Sequence, residues 1–400
     1  MRTTKSMKFL KEAGLTLIAT LPLTILPLLA SGEVITTNIQ VNLVRVPDGG
    51  LQPQALVDST GTVHLVYLAG DPKHCNVFYA RRPVGQTKFF NAIRVNSAPD
   101  SAVAVGTVRG AQLALGKSGR VHVAWNGSDR ASTSSNGSFP MLYSRMNDAG
   151  DAFEPQRDLM TSTTHLDGGG SVAADPYGHV YVVWHGHKRT GPQEEIDRGV
   201  YLAFSSDDGR TFTPERQVNS SDTGACGCCG LKAFANNDGS LAILFRSANL
   251  AGNRDSVLLL STNYGVTFTS TVVGQWHFSS CPMSTYALGV TRGRFIGLWE
   301  TAGQIYSAWL GPDKPGTNPT AVNGATGKRK HPAFAATENP SGPMLIAWTE
   351  GTGWEKGGTL SWECVDAQGA EIVSGRSEGV PVWGSVAAIA ERDGTFTVIY

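Results

Sequence analysis

The sequence predicts an all-β fold, a single β-propeller of six or seven blades, and three observations carry that expectation. An apolar strand, a Gly-centred turn and a second strand rich in Val and Trp return about every 50 to 60 residues, a period that marks propeller blades or other arrays. Glycine is abundant, at 47 of 400 residues, and charged residues make up only 16%. The apolar segments are short and bounded by Gly, Asp, Asn and Pro, as expected of many strands joined by tight turns.

At the N-terminus, Arg2, Lys5, Lys8 and Lys11 precede an apolar run from Ala13 to Ala30, followed by the small residues Ser31 and Gly32. Residues 1–32 therefore read as an export signal, with the mature chain starting near Glu33 and a secreted or periplasmic destination. A retained membrane anchor is the competing reading, opposed by Pro22 and Pro27 within the run. No Cys follows the run, which argues against a lipoprotein. Without the signal the chain carries 29 basic and 32 acidic residues, a balance that suggests no nucleic-acid or anionic-membrane partner. No Pro/Ser tract or charge run divides residues 33–400, which read as one domain.

Seven inner hairpins follow, beginning at Gln54, Ala111, Ser171, Leu231, Ser284, Pro332 and Ser385. Second hairpins lie between them, as in VFYARRPVGQTKF from Val77 and VYLAFSSDDGRTF from Val200, so each unit is a four-stranded antiparallel sheet with strands a to d. Such a sheet cannot bury both faces alone, but a radial arrangement packs each on its neighbours. The last hairpin ends at Tyr400 without an outer partner, and the strand-like stretch left to complete it is Val34 to Val46. Closure of the ring by N- and C-terminal strands is thus expected, and the shortness of that segment leaves the count at six or seven.

The c-to-d turns carry S-x-D-x-G-x-T-F, complete at Ser205, Asp207, Gly209, Thr211 and Phe212, with Asn263 replacing Asp between Ser261 and Phe268. Physically this is a turn staple: the Asp or Asn side chain bonds turn backbone, Gly supplies positive φ, and the aromatic packs beneath. The motif resembles the Asp-box, or bacterial neuraminidase repeat, of the sialidase superfamily, over nearly the whole mature chain. That resemblance implies a sialidase-like propeller, a glycoside hydrolase whose arginines hold a substrate carboxylate and whose nucleophile is a Tyr assisted by Glu. Arg45, within Val44-Arg45-Val46-Pro47, loosely matches the family's F/Y-R-I-P, with Asp71 near the spacing of its acid; Phe and Ile are both replaced, and no Tyr/Glu pair is assigned. The residue-level alternative is that Arg45 caps a strand edge.

Strand order places the a-to-b and c-to-d turns at one end of a propeller and the b-to-c and d-to-a connections at the other. The second set is long and irregular here, and functional residues tend to sit on such loops over a rigid scaffold. It holds Cys226, Cys228 and Cys229 in T-G-A-C-G-C-C-G, Trp276 and Cys281 before blade 5, His185, His187, Glu195 and Arg198 after strand b of blade 3, and Arg254 and Asp255 after Arg246 in blade 4. These blades are consecutive, so their loops should converge on one side of the channel mouth. The set C-G-C-C, L-F-R-S-A, N-R-D and W with S-C-P-M-S also resembles a group of exported bacterial Asp-box proteins labelled sialidase-like, which implies one site.

Three readings of the cysteines stay open: loop disulfides, a thiolate site for copper(I) or zinc, and free-thiol redox chemistry. His185 and His187, at i and i+2, point to one face of an extended segment, which suits a ligand pair as well as channel-lining hydrogen bonds. Glu195, Arg198, Arg254 and Asp255 can brace the loops as ion pairs or contact substrate. Trp125, Trp184, Trp299 and Trp348, at the ends of strand b, are expected between blades.

Two functions follow. One is hydrolysis or binding of an anionic glycan, with Arg246, Arg254 and Arg198 on a carboxylate, Glu195 or Asp255 moving the proton, and Trp276, His185 and Arg45 contacting substrate. The other is non-hydrolytic metal binding or redox at Cys226, Cys228, Cys229 and Cys281, with His187 nearby. An interaction scaffold stapled by its cysteines is a third.

Overall fold

The computed structural model describes residues 39–90, 92–131, 139–249, 251–311, 318–324 and 327–400; the expected signal segment 1–32 lies outside them. The count settles at seven blades. Blade 1 is built from Leu51–Val57, Val63–Asp71, His74–Arg82 and Ile93–Arg94, and blade 2 from Gln112–Leu115, Val121–Asn126, Met141–Arg145 and Arg157–Asp158. Blade 3 contains Ser171–Ala174, Val180–Lys188, Gly199–Ser205 and Arg216–Gln217, and blade 4 Lys232–Ala235, Leu241–Arg246, Ser256–Ser261 and Thr269–Gly274. Blade 5 contains Tyr286–Thr291, Arg294–Thr301, Gln304–Leu310 and Thr320–Ala321, and blade 6 Arg329–Ala336, Met344–Glu350, Gly358–Val365 and Glu371–Val380.

Blade 7 departs from the pattern. Its hairpin, Ala387–Ala390 and Phe396–Ile399, is joined by Val41–Val44 from the other end of the chain, which runs parallel to Phe396–Ile399. A strand joined to its partner by a tight turn must be antiparallel; one arriving from the opposite terminus is free to pair either way. The Val46 amide donates to the Tyr400 carbonyl and the Tyr400 amide to the Val44 carbonyl, both at 3.0 Å, so the two ends are stitched together.

Strand periodicity explains the packing. In strand b of blade 3, Val180, Val182 and Trp184 enter an apolar cluster shared with blade 2, while Tyr181 and Val183 enter one shared with blade 4. Alternate side chains thus serve opposite faces, and both are buried. Each of the seven seams has such a cluster among the described residues. Trp125, Trp184, Trp299 and Trp348 are all buried in seams.

The S-x-D-x-G-x-T-F turn has the geometry of a staple. Ser205 Oγ donates to Asp207 Oδ1 at 2.7 Å and accepts from the Gly209 amide at 2.9 Å, while Asp207 accepts from the Thr211 amide at 2.8 Å. Ser261, Asn263, Gly265 and Thr267 repeat the pattern.

The opposite face carries the irregular connections, with two exceptions. The b-to-c links of blades 1 and 5 are tight turns, pairing Asp71 with His74 and Thr301 with Gln304. The loop before blade 3 is fixed by Glu215, a buried carboxylate that accepts from the amides of Thr161, Ser162 and Thr163 at 2.8–3.0 Å and from both threonine hydroxyls. Thr163 and Thr164 then pair with Lys188 and His187, extending blade 3 toward the mouth. Burial alone would raise the Glu215 pKa, but the bonds from Thr161, Ser162 and Thr163 outweigh it and bring the group from 4.5 to about 2.

A depressed carboxylate stabilises the fold fully above its unfolded pKa and loses that effect as pH falls toward the folded value. Glu215→Gln, which sets an amide donor against backbone donors, should cost about 2 kcal/mol at pH 7. Denaturant unfolding checks this, and the gap from the native protein should shrink between pH 4.5 and about pH 2; a gap independent of pH would mean the charge is immaterial.

Candidate functional site

The loop containing the three close cysteines is held from three sides. The Cys226 amide donates to the Arg246 carbonyl at 2.8 Å and the Ala248 amide to the Thr223 carbonyl at 3.1 Å, tying the loop to blade 4. The Gly168 amide donates to Gly227 at 2.6 Å and the Leu231 amide to Gly169 at 3.0 Å, tying it to the loop before blade 3. On the far side the Gly230 amide donates to Ser284, before blade 5, at 3.0 Å. Glycine at 227 has a local reason: a Cβ there would stand 2.8 Å from the guanidinium carbon of Arg198.

This stitching turns the thiols inward. The Sγ atoms of Cys226, Cys228 and Cys229 all lie within 4.8 Å of one another, with Cys226 and Cys228 at 3.4 Å. Cys226 and Cys229 are buried, Cys228 is half-buried, and Cys281 is exposed beside Cys226 and Cys228, outside the group of three. All six cysteines are free thiols. Cys75 and Cys364 lie in other seams, where burial pushes each up to about 12.

Charge is divided within the cluster. Hydrogen bonds to Cys228, Cys229 and Cys281 raise the pKa of Cys226. Cys228 is lowered by its bond with Cys226 but raised more by those with Cys229 and Cys281 together with burial. Burial would raise Cys229, yet bonds from Cys226 and Cys228, the Arg246 charge and the Ser284 backbone bring it well below the ordinary thiol value. Cys281 falls to about 3 through its bonds with Cys226 and Cys228, with Arg254 adding to the effect.

Three arginines surround the thiols. Arg246 is buried; its Nη1 donates to the Arg254 carbonyl at 2.7 Å and its Nη2 to the Glu300 carbonyl at 2.6 Å. Its guanidinium carbon lies 5.0 Å from the Trp276 ring centre and 5.6 Å from that of Tyr286. Arg254, also buried, pairs with Glu195 at 2.7 Å. Arg198 donates to the His165 carbonyl at 2.5 Å. In all three the buried Nε has no hydrogen-bond partner among the described residues. Leaving a buried donor unmade costs about 1–3 kcal/mol each, so three in one place mark a site for an acceptor.

The remaining sequence candidates fall as follows. His185 Nε2 contacts the Cys229 carbonyl at 2.8 Å; burial, with the Arg198 charge, brings its pKa down to about 4, so the ring is neutral and its Nδ1 is bare and unpartnered. His187 Nε2 contacts the Glu194 carbonyl at 2.9 Å, and it is not part of the sulfur group. Asp255 accepts from the Trp276 amide at 2.8 Å, and Trp276 stacks on Phe278 at 4.7 Å. Arg45 stands apart at the blade 6–7 seam, donating to the Gly379 carbonyl and lying 4.0 Å over the Tyr400 ring.

Glu300 and Tyr286 complete the lining and escaped the sequence reading. Glu300 is buried with one carboxylate oxygen unpartnered, and burial raises its pKa against the Gly303 amide and the Arg246 charge. The signal was present. The aromatic closing strand b recurs as Tyr67, Trp125, Trp184, Phe245, Trp299, Trp348 and Tyr400, and the residue after it is polar and buried in five consecutive blades: Asn126, His185, Arg246, Glu300 and Thr349.

No protein-family model matches the sequence, and no curated protein does. Among solved structures, a Dyadobacter fermentans protein of unknown function superposes with TM-score 0.53 at 13% identity over 85% of this chain and 97% of its own. The Hadza microbial sialidase Hz136 follows with TM-score 0.52 and 15% identity over 82% and 74%. Trypanosoma rangeli sialidase, solved with the inhibitor DANA, gives 0.50 and 11% over 79% and 56%. At such identities the likeness is one of fold, and the fold is that of a sialidase-like seven-bladed propeller.

Proposed function

We propose that the mouth of this propeller binds one thiophilic metal ion, copper(I), through Cys226, Cys228 and Cys229, as a non-hydrolytic metal-binding protein. The observation carrying this reading is the set of three sulfur atoms within 4.8 Å of one another, beside three arginines whose buried Nε donors have no partner among the described residues. Thiolates bound about 2.3 Å from one ion stand a little under 4 Å apart, which small side-chain rotations reach here. Sulfur ligation selects soft ions, copper(I) and zinc foremost. A group of three sulfurs without histidine or carboxylate suits copper(I), which is stable with three thiolates, better than zinc, which takes four ligands. Copper(I) with three thiolates carries a net charge of −2, and Arg198, Arg246 and Arg254 supply the compensating field and N–H donors to sulfur.

Anaerobic titration against a chromophoric copper(I) chelator should give about one ion per mature chain. Cys229→Ser should weaken binding by at least about 100-fold while leaving a folded protein. Stoichiometric zinc but not copper would reassign the ion; no metal, with the loop thiols oxidised to disulfides, would reduce them to staples.

A second reading, release or binding of an acidic sugar, is favoured by the convergence of Arg198, Arg246 and Arg254 from consecutive blades in a fold shared with sialidases. Here Arg246 and Arg254 would hold the carboxylate, Arg198 would assist, and Glu195 or Asp255 would transfer the proton. Turnover of a sialyl glycoside by the native protein should then be lost by at least about 100-fold in Arg246→Ala and survive in Cys229→Ser. Absence of turnover in the native protein removes this reading.

A further inference from the structure

We infer that Cys281 is the exchange ligand of the thiolate site, the sulfur through which copper(I) passes between solvent-borne thiols and the buried set; this rests on the metal reading above. The four mouth cysteines form a gradient of exposure, from buried Cys226 and Cys229 through half-buried Cys228 to exposed Cys281. The inner side is packed: His185 sits on the Cys229 carbonyl, Gly168 on the Gly227 carbonyl, and Arg246 lies against Trp276 and Tyr286. Cys228 and Cys281 are thus the sulfurs of the set that solvent reaches, and an incoming ion meets them before the buried pair.

Cys281 also differs in how it is carried. It belongs to the loop before blade 5, not to the C-G-C-C loop, and ends an exposed stretch of Ser279, Ser280 and Cys281. Among the described residues no backbone hydrogen bond holds that stretch, but it is tethered on both sides. The Phe278 amide donates to the Gly252 carbonyl at 3.0 Å, and Lys330 Nζ donates to the Pro282 carbonyl at 2.5 Å. The Cys281 side chain interacts with Cys226 and Cys228 in its present position, and its place in an exposed stretch lets it turn outward without disturbing the other three.

The chemistry is associative ligand exchange. A copper(I)–thiolate complex donates its ion to Cys281 as one external Cu–S bond breaks and one Cu–S bond to Cys281 forms. Bonds to Cys226, Cys228 and Cys229 then replace the bond to Cys281. Copper stays monovalent throughout, and any thiol proton displaced passes to the departing thiolate or to buffer. The donor or acceptor this fits is a copper(I)-loaded monothiol, whether a small thiol or a single accessible cysteine of a carrier.

The test loads the full mature protein and its Cys281→Ser variant from copper(I)–glutathione under anaerobic stopped flow, and separately measures equilibrium affinity against a chelator. The loading rate and the rate of removal by excess glutathione should both fall at least tenfold in the variant, by microscopic reversibility, while affinity falls less than tenfold. Unchanged rates, or faster removal with a large loss of affinity, overturn the inference and make Cys281 a bystander or a fixed fourth ligand. Failure of the native protein to bind copper(I) at all sinks the metal reading itself and is seen before the variant is compared.

Discussion

Burial of both faces of every sheet is the constraint on which the rest of this molecule depends. Alternate residues along strand b feed opposite seams, as Trp184 and Val183 do, so no blade can be left at an edge without exposing an apolar face. The ring must close, and Val41–Val44 closes it beside Phe396–Ile399. Closure brings the ends of all inner strands to one mouth, so residues far apart in sequence become neighbours there. Lys330 thereby reaches the Pro282 carbonyl and Gly230 the Ser284 carbonyl, each across a blade boundary.

At that mouth, packing gives way to electrostatics. Arg246 is as buried as the tryptophans of the seams, and a guanidinium in that position is tolerated only if hydrogen bonds and opposite charge replace lost water. Backbone carbonyls of Arg254 and Glu300 satisfy its terminal nitrogens. The charge itself is matched by the sulfurs: bonds from Cys226 and Cys228, with the charge of Arg246 beside one and of Arg254 beside the other, hold Cys229 and Cys281 below the ordinary thiol value. Arg246 and Cys229 therefore stabilise each other's charged forms, which couples the geometry of the loop to the strand that carries Arg246.

Much of this was legible in the sequence because blades repeat. Seven aromatic-ended hairpins, the stapled c-to-d turns and the gathering of unusual residues between blades 3 and 5 all follow from local patterns that need no tertiary knowledge. The parallel pairing of Val41–Val44 was not legible, since a strand without a connecting turn carries no record of its direction. Nor was the orientation of the arginines: whether Arg246 turns its fork to solvent or to carbonyls depends on the loop from blade 3 packing against the loop from blade 4. Glu300 hid in plain pattern, as the polar residue after Trp299, because a charged group ending an apolar strand reads as exposed until the strand ends are seen to converge. Arg45, which the sequence left between substrate contact and a strand-edge cap, donates to the Gly379 carbonyl and lies over the Tyr400 ring at the blade 6–7 seam.

A fold like that of sialidases does not fix the chemistry of this chain, since one architecture hosts many functions. Recognition of a carboxylate by arginine depends on a free planar fork presented to the ligand. Here the forks of Arg246 are closed on main-chain oxygens and that of Arg254 is engaged by Glu195, leaving Nε donors directed within the loops rather than at an open cradle. A ligand that meets those donors has to be small, negatively charged and buried among the loops. A thiolate-bound ion meets each condition using sulfur atoms already in place, whereas a sugar would first have to displace the carbonyl bonds and the Glu195 pair. On the proposed reading, this scaffold is filled from within by its own cysteines.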